Sequence, residues 1–236
     1  MQRTLASPSR DHAESSHAPA SHAPAKITAL REHPRRAGRY VVELDGVAFG
    51  ALSVERIADH ALAVGRTVDP ALRAKLESAV REVACYDKAL DSLARRARSA
   101  ADLARWLKEK AFTPSEIEPA IDRLTVLGLL DDLAYARGFA RTRLGAGRGF
   151  GPRRVAMELG RKGVARSVVD AVLGELAAEE GGGDERTAAE AVAARRARGM
   201  STLPPEVRQR RLYGFLVRRG FAMGLAADIA RRFARG

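Results

Sequence analysis

Apolar residues along this chain change their period near Ser53. Before it they fall in short runs. Lys26 to Leu30 (KITAL) alternates weakly; Tyr40, Val41, Val42 and Leu44 precede an Asp45-Gly46 pair, and Val47, Phe49 and Leu52 follow it. Asp-Gly between apolar runs predicts a β-hairpin, because both turn residues must take positive φ, and KITAL adds a third strand. Beyond Ser53, Val54, Ile57, Ala58, Ala61 and Leu62 recur at helical spacing, with Gly65 expected at the C′ position that closes the helix. Asp69-Pro70 then reads as an N-cap with proline at the first helical position, opening a helix through Leu72, Leu76, Ala79 and Val80 into Cys85.

Past about residue 84 the pattern repeats. Ala104–Leu124, Ala156–Leu176 and Tyr213–Phe233 align without gaps. Leu107, Leu159 and Leu216 end a helix on its apolar face, and Lys110, Lys162 and Arg219 follow three residues later, where a cation complements the helix dipole. Gly163 and Gly220 suit a left-handed stop, a rule that Ala111 breaks. Phe112, Val164 and Phe221 then supply the apolar residue of a Schellman closure. The next helix carries Ile117/Val169/Ala226, Ala120/Val172/Ile229, Ile121/Leu173/Ala230 and Leu124/Leu176/Phe233, one face in every copy. Thr113-Pro114-Ser115-Glu116 is a capping box in the first copy. A further helix precedes each copy, over about 86–98, 132–144 and 184–198, and the joints between them vary.

This predicts a mainly α protein of three tandem three-helix repeats in an elongated array, behind a small β-hairpin segment. The expected divisions are a disordered tail over 1–25, the β-hairpin segment with its helices over 26–83, and repeats over 84–130, 131–180 and 181–236. Gly181-Gly182-Gly183 is expected to act as a flexible joint. The tail is rich in Ala, Ser, Pro and His and lacks the apolar residues to fold.

Charge separates the halves. The net charge is +12, and +9 of it lies in the last 106 residues. Such a basic half fits a polyanion or an acidic protein groove. Only six of the 41 cations are Lys, and Arg offers a planar fork for phosphate or carboxylate. The clusters that stand out are Arg148, Arg153 and Arg154 around Gly151-Pro152, and Arg208, Arg210, Arg211, Arg218 and Arg219 in the third repeat.

Catalytic patterns are missing from the sequence. It has no His-Glu-x-x-His, no cysteine pair for zinc and no Walker A loop, and GAGRGFG follows a helix rather than a strand. A binding protein with no cofactor and no metal is the expectation. Asp131-Asp132 reads as a helix cap. The single cysteine, Cys85, reads as a small buried residue in a reducing compartment. Without a long apolar run or a signal-peptide pattern, the chain is expected to be cytoplasmic, monomeric and free of the membrane.

The ITAL strand, LDGVAFGALS, LGLLDDLAYARGFARTRL, GFGPRRVAMEL and RRLYGFLVRRGF, in that order, resemble the RecX family over about residues 26–235. That resemblance implies three tandem three-helix repeats that modulate the RecA recombinase, with inhibition the usual direction. It implies binding in the groove of the RecA–DNA filament, contact with single- or double-stranded DNA in some members, and no catalytic residues. It carries over as contact positions Arg153, Arg154, Arg211, Arg218 and Arg219.

Overall fold

The computed structural model describes residues 24–144, 149–179 and 185–235, and the chain divides between Ala79 and Val80 into two compact units. The tail up to residue 23 and the triple glycine lie outside the described residues.

The first unit holds a four-stranded antiparallel sheet in the order β3-β2-β1-β4. Its strands are β1 Ala25–Glu32, β2 Arg39–Leu44, β3 Val47–Ser53 and β4 Thr67–Val68. The hairpin turns at Asp45 and Gly46, whose φ values of 50° and 82° are the left-handed pair a two-residue hairpin needs. Two neighbours lock the turn: Lys26 N–H donates to Asp45 Oδ1 (2.9 Å), and Gly46 N–H to the Thr28 hydroxyl (2.9 Å). Ile27, Val42, Leu52 and Val68 are buried here. Two expectations are corrected. Ala25, placed in the tail by the sequence, belongs to strand β1, where it is buried and pairs with Val68. The helix after the hairpin, α1 Val54–Asp59, stops with Ala61 in the left-handed region, and Gly65 serves a later turn, donating to the Ile27 carbonyl at 2.8 Å.

Asp69 caps α2 as expected, accepting from Leu72 N–H at 2.7 Å. Two helices were expected between residues 70 and 98; a single one, α2 Pro70–Arg95, runs through. No glycine or proline interrupts it, and Leu76, Ala79, Val83 and Ala89 give it one continuous buried stripe.

The second unit contains the end of α2 and eight further helices among the described residues. Repeat one is completed by α3 Ala100–Glu109 and α4 Pro114–Val126. Repeat two is α5 Asp132–Leu144, α6 Pro152–Arg161 and α7 Arg166–Ala178. Repeat three is α8 Glu185–Arg198, α9 Pro205–Arg218 and α10 Met223–Arg235. Each repeat has its own core, centred on Leu107, Leu159 and Leu216. The first helices share a register too: Cys85/Ala89, Ala136/Ala140 and Ala189/Ala193 are buried pairs four residues apart. In repeats two and three these small residues let α5 and α8 sit close against the other two helices. Cys85 is therefore one member of a row of alanine-sized positions, and burial pushes its thiol up to about 11, with Glu116 adding to the shift. At pH 8 the native protein is expected to leave this thiol unmodified by a disulfide reagent until denaturant is added, because so little of it is thiolate.

The capping box forms: Thr113 N–H donates to Glu116 Oε2 at 2.8 Å. Glu116 also takes two hydrogen bonds from the Arg81 guanidinium of α2, at Oε1 from Nε and at Oε2 from Nη2 (3.0 Å). This pairing, ahead of the cap bonds, holds the carboxyl below its usual range. A carboxylate lowered in the folded state adds stability above the unfolded value and loses it on acidification. Glu116→Gln is expected to cost about 1 kcal/mol at pH 7. The difference from wild type should shrink as the pH falls below the ordinary carboxylate range toward the lowered native value, as urea titrations at pH 7 and pH 3 would show.

Candidate functional site

The repeats are joined by one device used twice: the start of a middle helix seats on the turn that follows the next repeat's middle helix. Ser99 caps α3, accepting from Asp102 N–H (3.2 Å), while its hydroxyl donates to the Lys162 carbonyl at 2.5 Å. Asp131 caps α5 by accepting from Leu133 and Ala134, and Asp132 reaches back to accept from Ala100 N–H at 2.8 Å. The paired aspartates thus cap two helices in two repeats. At the second joint Gly151 N–H donates to the Arg219 carbonyl (2.8 Å), and Arg153 N–H to the Gly220 carbonyl (3.2 Å).

These joints explain the glycine that Ala111 replaces. All three stops are left-handed, with φ of 64° at Ala111, 81° at Gly163 and 89° at Gly220. A Cβ on Gly163 would lie 2.3 Å from Ala101 Cβ, and one on Gly220 2.3 Å from the Arg154 nitrogen. Each of those turns receives the preceding repeat. Ala111 opens no such joint and stands exposed, so a side chain fits there at the cost of the left-handed backbone alone. The Gly149-Phe150-Gly151 run is explained likewise. Cβ atoms would meet Val192 at 2.2 Å and Gly220 at 2.4 Å, so the two glycines press the backbone onto repeat three and hold Phe150 between them.

The predicted arginines divide at this second joint. Arg153 and Arg154 start α6; Arg153 is exposed, while Arg154 is half-buried and pairs with Glu158 at 2.9 Å. Arg219 lies across the joint, half-buried, with Arg218 exposed beside it at the end of α9. Arg211 is exposed two helical turns earlier on α9. Arg148 lies outside the described residues.

Sequence reasoning missed what lies between these arginines. The Arg143 guanidinium carbon is 5.1 Å from the Phe139 ring centre and 5.5 Å from that of Phe150. That of Arg219 is 5.1 Å from Phe150 and 5.1 Å from Phe215. Lys162 lies over Phe139 at 5.7 Å and Arg196 over Phe215 at 5.6 Å. Cations and rings alternate from repeat two into repeat three. Glu158 supports the ladder from below, 3.4 Å from Arg143. The signal was present as Phe139-x-x-x-Arg143 and Phe215-x-x-x-Arg219, neighbours on a helix surface. Lys110 repeats the motif over Trp106 at 5.8 Å, so the cation at every middle-helix stop lies over a ring.

Among the described residues no group of His, Cys, Asp and Glu is placed to hold a metal ion. No described helix is long and apolar enough to cross a membrane.

Protein-family models for the first, second and third three-helix domains of RecX match residues 85–124, 131–173 and 184–229. The chain belongs to the RecX family. Regulatory protein RecX of Levilactobacillus brevis is 32% identical over 86% of this chain and 74% of its own length. That of Pseudomonas fluorescens is 38% identical over 62% of this chain and 90% of its own length. Among solved structures, a crystal structure of regulatory protein RecX superimposes with a TM-score of 0.72 at 25% identity, over 87% of this chain and 98% of its own. RecX from Lactobacillus salivarius shares the fold, with a TM-score of 0.57 at 19% identity, over 66% of this chain and 98% of its own. In this RecX chain the family's three helical domains are thus the repeats whose caps and turns interlock, and the basic ladder crosses the last of their joints.

Proposed function

We propose that this protein is a non-enzymatic, cytoplasmic, monomeric regulator of the RecA recombinase that binds along the RecA–DNA filament and inhibits it. The relatives' shared name, regulatory protein RecX, supports a regulatory role. The observation that carries the reading further is the concentration of Arg153, Arg154, Arg218 and Arg219 at one joint between rigidly capped repeats. A surface fixed across two repeats suits a partner that is itself a long repeating polymer with acidic or phosphate groups in its groove. Added at stoichiometric ratio, the protein is expected to slow RecA's DNA-dependent ATP hydrolysis and strand exchange. Unchanged rates for both would refute the proposal.

A second reading, direct binding to DNA without RecA, is favoured by the alternation of rings and cations. Tight, steeply salt-dependent DNA binding with no effect on RecA would favour it.

A further inference from the structure

The basic character of the chain reverses at one corner of the helical unit. Residues 113–133, which make α4 and the turn into α5, hold five acids and a single cation, Arg123, for a net charge of −4 in a chain of +12. Glu116 is taken by Arg81, and Asp131 and Asp132 cap helices. Glu118 and Asp122 remain, both exposed, and Val126 continues their row at a spacing of four along α4. From there the surface turns apolar. Val126, Leu127, Leu129 and Leu133 are four of the ten large apolar side chains that stand exposed among the described residues, and they fall within eight positions. Val126 alone is 87% exposed. Single exposed apolar residues are ordinary on a protein surface, but a contiguous group marks a contact with another macromolecule.

The fold does not require apolar residues here. The turn closes through the backbone: Gly128 N–H donates to the Thr125 carbonyl (2.9 Å), and Leu129 and Leu130 N–H both donate to the Leu124 carbonyl (2.9 and 3.2 Å). Leu124 and Leu130 are buried and fix the turn to the core of repeat one. Polar side chains at 126, 127 and 129 would leave all of these bonds intact, so the corner holds apolar groups out to solvent on a rigid base. We infer that this corner is a protein-docking surface whose occupant is an apolar pocket edged by basic side chains, carried by the RecA protomers of the filament and not by its DNA. Charge chooses between the two. Phosphates would be repelled by Glu118 and Asp122, and the one cation of the stretch, Arg123, lies over the Tyr86 ring at 5.1 Å. A pocket with Lys or Arg at its edge satisfies both carboxylates while its floor covers the leucines. The inference rests on the filament reading, and it adds a second contact opposite in chemistry to the arginines at the joint between repeats two and three.

Co-sedimentation with RecA filaments on single-stranded DNA tests the inference with two variants, Leu127→Ser/Leu129→Ser and Glu118→Lys/Asp122→Lys. All four positions are exposed, so both variants should unfold at the wild-type temperature. Each is expected to bind the filaments about tenfold more weakly than wild type, the first by losing the apolar anchors and the second by bringing like charge to a basic rim. A Leu127→Ser/Leu129→Ser protein that pellets as wild type does overturns the inference and leaves the filament reading in place. A Glu118→Lys/Asp122→Lys protein that binds more tightly than wild type puts the corner against phosphates and overturns it too. If wild type without RecA sediments as a dimer that the leucine variant dissociates, a second copy covers the corner and the inference fails. Wild type that stays in the supernatant overturns the filament reading and this inference together.

Discussion

Gly220→Ala should lower the stability of the helical unit by about 3 kcal/mol, the sum of a left-handed alanine and an overpacked contact. The added methyl group would stand 2.3 Å from the Arg154 nitrogen and 2.8 Å from its Cα. Both are backbone atoms of a capped helix start, so no side chain can swing aside to make room. Gly128 supplies the comparison. Its φ is 67°, and a Cβ there meets nothing within 4 Å. Gly128→Ala should therefore cost only the left-handed backbone, about 1 kcal/mol. Urea unfolding followed by circular dichroism would measure both. Equal costs at the two positions would show that the second joint is looser than the capping contacts make it.

The second large effect is expected at Phe221. Its side chain is 1% exposed and packs with Ala189, Ala193, Leu216, Ala226 and Ile229 in the core of repeat three. Phe221→Ala should cost about 4 kcal/mol, because the cavity it leaves is walled by helices pinned at their ends. Phe112 holds the same place in repeat one but is only partly buried against its core. Phe112→Ala should cost less, and the difference, read from the same unfolding curves, measures how much more completely the third repeat encloses its closing residue.

The hairpin, the middle and last helices of each repeat and their stops were legible in the sequence because each depends on local chemistry. Asp45-Gly46 can turn, Asp69-Pro70 can cap, and Leu107, Leu159 and Leu216 mark a face by spacing alone. The shared register of the first helices was not legible. Ala136 and Ala140 look like ordinary helix formers, and their importance lies in being small where another helix crosses. The single long α2 was missed because a helix needs a reason to stop, and neither the Cys85 region nor the change of unit provides one. At the candidate site, Arg153, Arg154, Arg218 and Arg219 were found by charge. Arg143 and the phenylalanines 139, 150 and 215 were not, because rings and cations 76 residues apart, from Phe139 to Phe215, are brought into line only by the joint. The oddity of Ala111 carried information in the other direction. A repeat that tolerates a side chain at its stop is the one with no repeat seated on it.

The most direct test of the central claim is co-sedimentation of the protein with RecA filaments assembled on single-stranded DNA, comparing wild type with Arg153→Glu/Arg218→Glu. Both arginines are exposed, and the joint bonds near them run through backbone atoms, so the variant should unfold at the wild-type temperature. Wild type is expected to pellet with the filaments, and the variant to bind them at least about tenfold more weakly. Wild type that stays in the supernatant, or a variant that pellets equally well, would contradict a filament regulator that binds through this joint.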